Sequence, residues 1–264
     1  MEQAFLQPVE TLSGRCDGPH VWFTSHTGLP MDNTIASSVP RVLQAGDVLL
    51  IIDVQNDFLE GGALAVPDGN AVIPVLNRYI ALFSQQGLPI LATRDWHPEQ
   101  HGSFHQHGGP WPRHCVAGSA GAAFADTLQL PRSTHVISKG TDPDKAGYSA
   151  FESFQLLRLL ARLHSRRLFV GGLATDYCVL HTVLAARRRG FEVVVLRDAI
   201  RAVEARRGDE AAALTRMRRA GAGFITTSCL HATDEDHAHG ASESVAYRPV
   251  PARNAEELPR RGHG

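Results

Sequence analysis

Asp95 and His97 stand two apart in TRDWHP, and His114 follows seventeen residues later in WPRHCV. In extended chain, residues two apart project to the same side. One carboxylate and two imidazoles are the donor set of a Zn²⁺, Mn²⁺ or Fe²⁺ site whose other positions stay open to water or substrate. A lone DxH is a weak signal. His101, His105 and His107 in the same loop are competing ligands, although loop solvation explains them more cheaply. Cys115, adjacent to His114, reads as a packed thiol.

A second set of residues suits nucleophilic chemistry. Asp53 ends an apolar run in IIDVQNDF, where a buried carboxylate is costly unless paired or protonated. Taken alone, a loop or capping aspartate explains it better, and Asp57 reads as a cap. Lys139 ends the run before ISKG's glycine; a solvated lysine and a buried partner for Asp53 are equally good readings of its position. Cys178 follows GGLATDY, where a helix is predicted to begin near Thr175 or Asp176. Unpaired N–H groups and the positive dipole end of a helix lower a thiol's pKa and can also hold an oxyanion. Most buried cysteines are merely small hydrophobes. The company of an aspartate and a lysine at neighbouring strand ends makes Cys178 a better nucleophile candidate than that. Asp176 reads as a helix cap.

Those positions need a scaffold, and the apolar pattern supplies one. Short β-rich runs at Val48–Ile52, Pro89–Thr93, His135–Ser138, Leu168–Gly171, Glu192–Leu196 and Gly223–Thr227 alternate with four helical stretches. Asn70–Gln86 ends at Gly87, Phe151–His164 carries Phe154, Leu157, Leu160 and Ala161, Asp176–Arg189 ends at Gly190, and Gly208–Ala220 ends at Gly221. Apolar spacings of three and four closed by glycine predict amphipathic helices. Alternating strands and helices predict a parallel sheet covered on both faces, with ligands bound beyond the strands' carboxyl ends.

Composition narrows the function. The chain has 264 residues, 26 Lys+Arg and 27 Asp+Glu, for a formal charge of −1, with 43% hydrophobic and 20% charged residues. Near-neutral charge lacks the footprint of a general nucleic-acid binder. No apolar run approaches the ~20 residues of a membrane span, and Met1–Arg15 shows no secretory signal. The 4 widely spaced cysteines argue against a disulfide scaffold and for a reducing cytoplasm. The expected division is an irregular N-terminal extension over residues 1–45, a catalytic domain over 46–230, and a polar tail over 231–264 too poor in apolar residues to order itself. His237 and His239 belong to that tail.

IIDVQNDF, TRDWHPEQHGSF, WPRHCVAGSAGA, ISKGTDPDKAGYSAF and GGLATDYCV, in this order, resemble the nicotinamidases of the isochorismatase-like cysteine hydrolase family. The resemblance spans about residues 47–230 and leaves the N-terminal extension without a counterpart. It implies an α/β three-layer sandwich with a six-stranded, mostly parallel sheet and helices on both faces. The implied reaction is hydrolysis of nicotinamide, and by extension pyrazinamide, to the acid and ammonia, in NAD salvage. By the same carry-over Asp53, Lys139 and Cys178 look like the catalytic triad, and Asp95, His97 and His114 like the ligands of one divalent metal, Zn²⁺ before Fe²⁺ or Mn²⁺. Phe58, Trp111 and Tyr148 would line the substrate pocket. The N–H groups of Ala174 and Cys178 would form the oxyanion hole beside a cis Leu173–Ala174 bond. Some relatives supply a further ligand where this chain has Ser103, so water is expected to complete the shell. The expected partner is a small-molecule substrate, without nucleic acid or membrane; a homo-oligomer is compatible.

Rival readings differ in what they need. A related amidohydrolase acting on another small amide would keep the triad. A non-haem iron oxygenase would use two histidines and a carboxylate but has no use for a helix-capped cysteine. A non-catalytic module would bind without turnover. A dinucleotide-dependent dehydrogenase lacks its GxGxxG after the first strand.

Overall fold

The computed structural model describes residues 42–230. The tail with His237 and His239, and all but the last four residues of the expected N-terminal extension, lie outside the described residues. Within them the six apolar runs form strands: β1 (Asp47–Ile52), β2 (Ile90–Asp95), β3 (His135–Lys139), β4 (Arg167–Leu173), β5 (Glu192–Arg201) and β6 (Gly223–Ile225). They make one sheet in the order β3-β2-β1-β4-β5-β6, with every pair parallel. The helices are α1 (Val72–Gln85), α2 (Phe154–Arg162), α3 (Leu180–Arg188) and α4 (Asp209–Arg219).

Period-two alternation sorts the strand residues onto two faces. Leu49 and Ile51 of β1 pack with Leu76, Ile80 and Phe83 of α1 in one core. Val48, Leu50 and Ile52 turn the other way, into the core formed with Leu156 and Leu160 of α2, Val183 of α3 and Met217 of α4. Burial on both faces explains why β1 and β4 are apolar almost throughout, as central parallel strands must be. The helices end where glycine was expected to stop them: Gly87, Gly190 and Gly221 all take positive φ.

Two elements depart from the sequence reading. The helix expected from Phe151 begins at Phe154, because Ser149 and Glu152 close a capping box around a separate short turn, Ala150–Glu152. Its buried face is therefore Leu156, Leu159 and Leu160, and Phe154 is 71% exposed. β5 continues past Leu196 to Arg201 through a register shift opposite Val170–Gly172. Cys115 and Cys178 are free and buried. Among the described residues no helix is long and apolar enough to cross a membrane.

Strand order reverses between β1 and β4, whose flanking connections leave in opposite directions. The crevice beyond the carboxyl ends of such neighbours is where ligands bind in open α/β sheets.

Candidate active site

Four strand ends meet in that crevice. Asp53 follows β1 with φ 50°, a left-handed conformation that aspartate tolerates better than most residues. Its carboxylate is buried and accepts from Thr93 Oγ1 at 2.6 Å. Lys139 ends β3, and its ammonium lies 2.7 Å from Asp53 Oδ2 and 2.6 Å from Asp95 Oδ1. The same nitrogen donates to the Gly147 carbonyl at 3.0 Å and reaches Cys178 Sγ at 3.4 Å. Of the two readings open for Lys139, the solvated one falls: the side chain is fully buried.

Cys178 is brought in from β4. The strand leaves through Gly172, where φ is 120° and a Cβ would collide with the backbone of Ile52, so only glycine lets β4 approach β1 this closely. A cis Leu173–Ala174 peptide follows. Thr175–Val179 then forms a π-helical turn rather than the first α-turn expected, and α3 continues from it. Asp176 does not cap this turn. Its carboxylate accepts from Val203 N at 3.0 Å and Glu204 N at 2.8 Å, fastening the loop after β5 to the cysteine's own turn.

Burial reshapes the protonation of this cluster. It raises the Asp53 pKa against the pull of Lys139. It pushes the Cys178 thiol well above the ordinary range, again against Lys139. Burial thus acts on Cys178 against the lowered thiol pKa that a helix start predicts, and it increases the basicity of the aspartate beside it. Burial also opposes charge on Lys139, but the two carboxylates outweigh it and hold the ammonium well above the usual lysine range. For Asp95, Lys139 and His97 together overcome burial and keep the carboxyl below the usual range.

Asp95, His97 and His114 offer one ligand atom each, and these atoms all lie within 4.8 Å of one another. Asp95 Oδ2 is 3.6 Å from His97 Nε2. His97 Nδ1 is engaged by the Gly140 carbonyl at 2.8 Å and His114 Nδ1 by the Pro112 carbonyl at 2.7 Å, which leaves both Nε2 atoms for a metal. A carbonyl behind each imidazole is the usual way a metal-binding histidine is oriented. Gly140 has no freedom to be otherwise, since a Cβ there would strike the His97 ring. Two ionised carboxylates facing one ammonium would leave a buried negative charge, which a divalent ion on Asp95 would offset. The donor set thus fits the expected ion.

Sequence reasoning missed Gln55. Fully buried, it accepts from Asp95 N at 2.7 Å and donates to the Asp95 carbonyl at 2.8 Å and the Ala122 carbonyl at 2.9 Å. Its place in DVQNDF, directly after the strand that carries Asp53, was the only signal. Asp57, taken for a cap, instead accepts from Cys115 N at 2.7 Å and so braces the backbone beside His114. His105 and His107 are exposed as expected, but His101 is wholly buried against the His97 ring, with centroids 4.0 Å apart. Burial lowers its pKa. Cys115 is buried and joins no ligand group among the described residues.

Both clusters open into one cleft, lined by Cys178 and Ala174 on one side and by Asp95, His97 and His114 on the other. Phe58, Trp111 and Tyr148 line it too, joined by Leu64, Val66, Tyr177 and Val203, which the sequence reading did not name. Trp111 Nε1 donates to Tyr148 OH at 2.9 Å, and Tyr177 meets the Trp111 ring edge to face at 5.1 Å and 82°. A flat aromatic ring with a polar substituent matches such walls.

A family model described as an isochorismatase domain matches residues 47–229. The chain is 40% identical to a nicotinamidase of Escherichia coli (strain K12) over 199 residues, covering 67% of this chain and 93% of the relative. Among solved structures it is similar to a pyrazinamidase of Pyrococcus horikoshii in complex with zinc, at 45% identity and a TM-score of 0.66 over 69% of this chain and 99% of that one. It is also similar to PnC1 from L. infantum in complex with nicotinate, at 42% identity and a TM-score of 0.68 over 73% of this chain and 98% of that one. With the model match running from the first strand to the last, the chain belongs to the isochorismatase family.

Proposed function

We propose that this protein is a nicotinamidase, hydrolysing nicotinamide to nicotinate and ammonia and accepting pyrazinamide by the same route. One observation carries the reading. Lys139 touches Asp53, Asp95 and Cys178 at once, so nucleophile and metal ligands face a single cleft. The named relatives act on or bind this class of compound.

The chemistry follows from the residues. Asp53 accepts the proton of the Cys178 thiol as Sγ attacks the carboxamide carbon, and the carbonyl oxygen becomes an oxyanion. The N–H groups of Ala174, just before the π-turn, and of Cys178, within it, take that charge. Asp53 returns its proton to the amide nitrogen, the C–N bond breaks, and ammonia leaves a thioester on Cys178. Asp53 then draws a proton from water, which attacks the thioester; the C–S bond breaks, Asp53 passes that proton to the sulfur, and the acid departs with the thiol restored. Lys139 stays charged throughout and steadies both anions. Asp95, His97 and His114 would hold one divalent ion, zinc by preference, whose chemistry is Lewis-acid binding of the ring nitrogen. Phe58, Trp111 and Tyr148 hold the ring, so its carboxamide meets the sulfur in a fixed orientation. The corresponding cellular role is NAD salvage.

Ammonia release measured with nicotinamide, pyrazinamide and small carbamoyl amides tests the assignment. Turnover of the two heteroaromatic amides is expected, together with iodoacetamide inactivation at Cys178 that nicotinamide blocks. Turnover confined to carbamoyl amides would assign the site to another family member, and unblocked alkylation would remove the cysteine from the pocket.

A further inference from the structure

His101 is the one histidine of its loop that the fold buries, and neither the triad nor the three-ligand group uses it. The loop around it is held at several points: His101 N bonds the Pro98 carbonyl at 3.1 Å, Phe104 N bonds the His101 carbonyl at 3.1 Å, and Gly102 N crosses to the Pro143 carbonyl at 2.9 Å. On one side its ring lies against His97, tilted by 37°, and on another it packs against Phe104 at 5.6 Å. Solvation, the ordinary reason for a loop histidine, is therefore excluded.

Its hydrogen bonds fix the direction of a neighbouring hydroxyl. Ser103 N donates to His101 Nδ1 at 3.2 Å, so Nδ1 is the bare nitrogen of the ring and the proton sits on Nε2. Ser103 Oγ is 2.7 Å from the same Nδ1, and with no proton on that nitrogen the serine must be the donor. The only hydroxyl proton of Ser103 is thus committed to the histidine. Ser103 lines the cleft beside Asp95, His97 and His114, and what it can offer a ligand there is a lone pair. An ion held by three protein donors keeps positions for water, and a metal-bound water is a strong hydrogen-bond donor in search of an acceptor.

We infer that His101 and Ser103 are a positioning pair, in which the histidine turns the serine oxygen to accept a hydrogen bond from water on the ion at Asp95, His97 and His114. The inference rests on the metal centre of the proposed function and adds two residues that set its affinity. His101 acts through Ser103 and through the ring it stacks on, not by ligation.

The test is Zn²⁺ affinity, read by competition with a chromophoric chelator on full-length protein stripped of metal, with the melting of each metal-free variant measured alongside. Ser103→Ala is expected to weaken Zn²⁺ binding about tenfold or more, the usual effect of losing a group behind a ligand shell. His101→Gln, whose amide cannot stand in for Nδ1, is expected to do the same. His101→Asn, which places an acceptor near the Nδ1 position, and Ser103→Thr, which keeps the hydroxyl, are expected to stay within about threefold of the parent. Equal affinity in all four variants beside a parent that binds Zn²⁺ overturns the inference and spares the centre. Variants that melt early yet bind as the parent does assign the pair a purely structural role and also overturn it. A parent that takes up no Zn²⁺ overturns the centre itself, and the pair with it.

Discussion

The sheet buries charge at both of its edges, and the two edges handle it differently. At the amino edge Arg167 grips Asp47 with two bonds, Nε to Oδ1 at 2.8 Å and Nη2 to Oδ2 at 2.6 Å. The guanidinium also reaches the Val42 carbonyl, and Gln44 N donates to Asp47 Oδ2 at 2.8 Å. One cation meets one anion in matched planar geometry, which is how a buried pair offsets its own desolvation. At the carboxyl edge a single compact ammonium, Lys139, is shared by two carboxylates, a thiol and a carbonyl. Charges there do not cancel, and burial leaves Asp53 more basic and Cys178 less acidic than they would be in water. A saturated pair holds the fold; an unsaturated cluster keeps protons ready to move.

The largest expected effect comes from removing the atom that the unsaturated edge serves. Cys178→Ala should lower turnover by ~10⁴-fold or more, while metal content measured by elemental analysis stays as in the parent. Next comes a paired experiment on the two cations. Lys139→Met strands two buried carboxylates and Arg167→Met one, each variant at a cost of at least roughly 3–5 kcal/mol in denaturant unfolding. Only the first should reduce kcat, by at least ~10²-fold, with Arg167→Met retaining the parent's kcat at a temperature where it is folded. Equal losses of kcat would erase the distinction between the edges.

Asp95→Asn probes the residue shared between the lysine and the ligand group. Zinc affinity measured by competition should fall by at least ~10²-fold, and KM should rise more than kcat falls, if the ion orients substrate as proposed. The smallest effect concerns pH. Asp53 must be ionised to take the thiol proton, and burial raises its pKa, so kcat/KM should fall as pH drops through a value above that of an ordinary aspartate. Thr93 Oγ1 donates to the ionised form and pulls the pKa down. Thr93→Val should therefore move this acid limb upward by about one unit, the equivalent of one charge-assisted hydrogen bond. A limb that moves downward would contradict Asp53 as the base.

Much of this was legible in the chain because parallel sheets are. Central strands buried on both faces must be apolar runs, so β1 and β4 announce themselves, and any charged residue that ends such a run is conspicuous. That logic found Asp53, Asp95 and Lys139. It could not decide whether Lys139 was solvated, since position gives no account of what packs over a strand end. Residues that act through tertiary contact were invisible for the same reason. Gln55 is polar and looked like part of a turn, although its amide clamps both backbone groups of Asp95. His101 shared its loop with two exposed histidines, and only the Pro143 crossing and the His97 ring distinguish it. Phe154 misled in the opposite sense: helical spacing placed it in the core, but the Ser149–Glu152 capping box starts α2 later and turns it to the surface.

What most directly probes the shared cleft is discrimination between nicotinamide and benzamide, which differ only in the ring nitrogen. Ammonia release from the zinc-loaded protein should favour nicotinamide by at least ~10²-fold in kcat/KM, and Asp95→Asn or chelation should collapse that preference to a few-fold by slowing nicotinamide alone. Equal turnover of the two amides by the zinc-loaded protein, or a preference that survives chelation unchanged, would contradict one ligand spanning sulfur and ion.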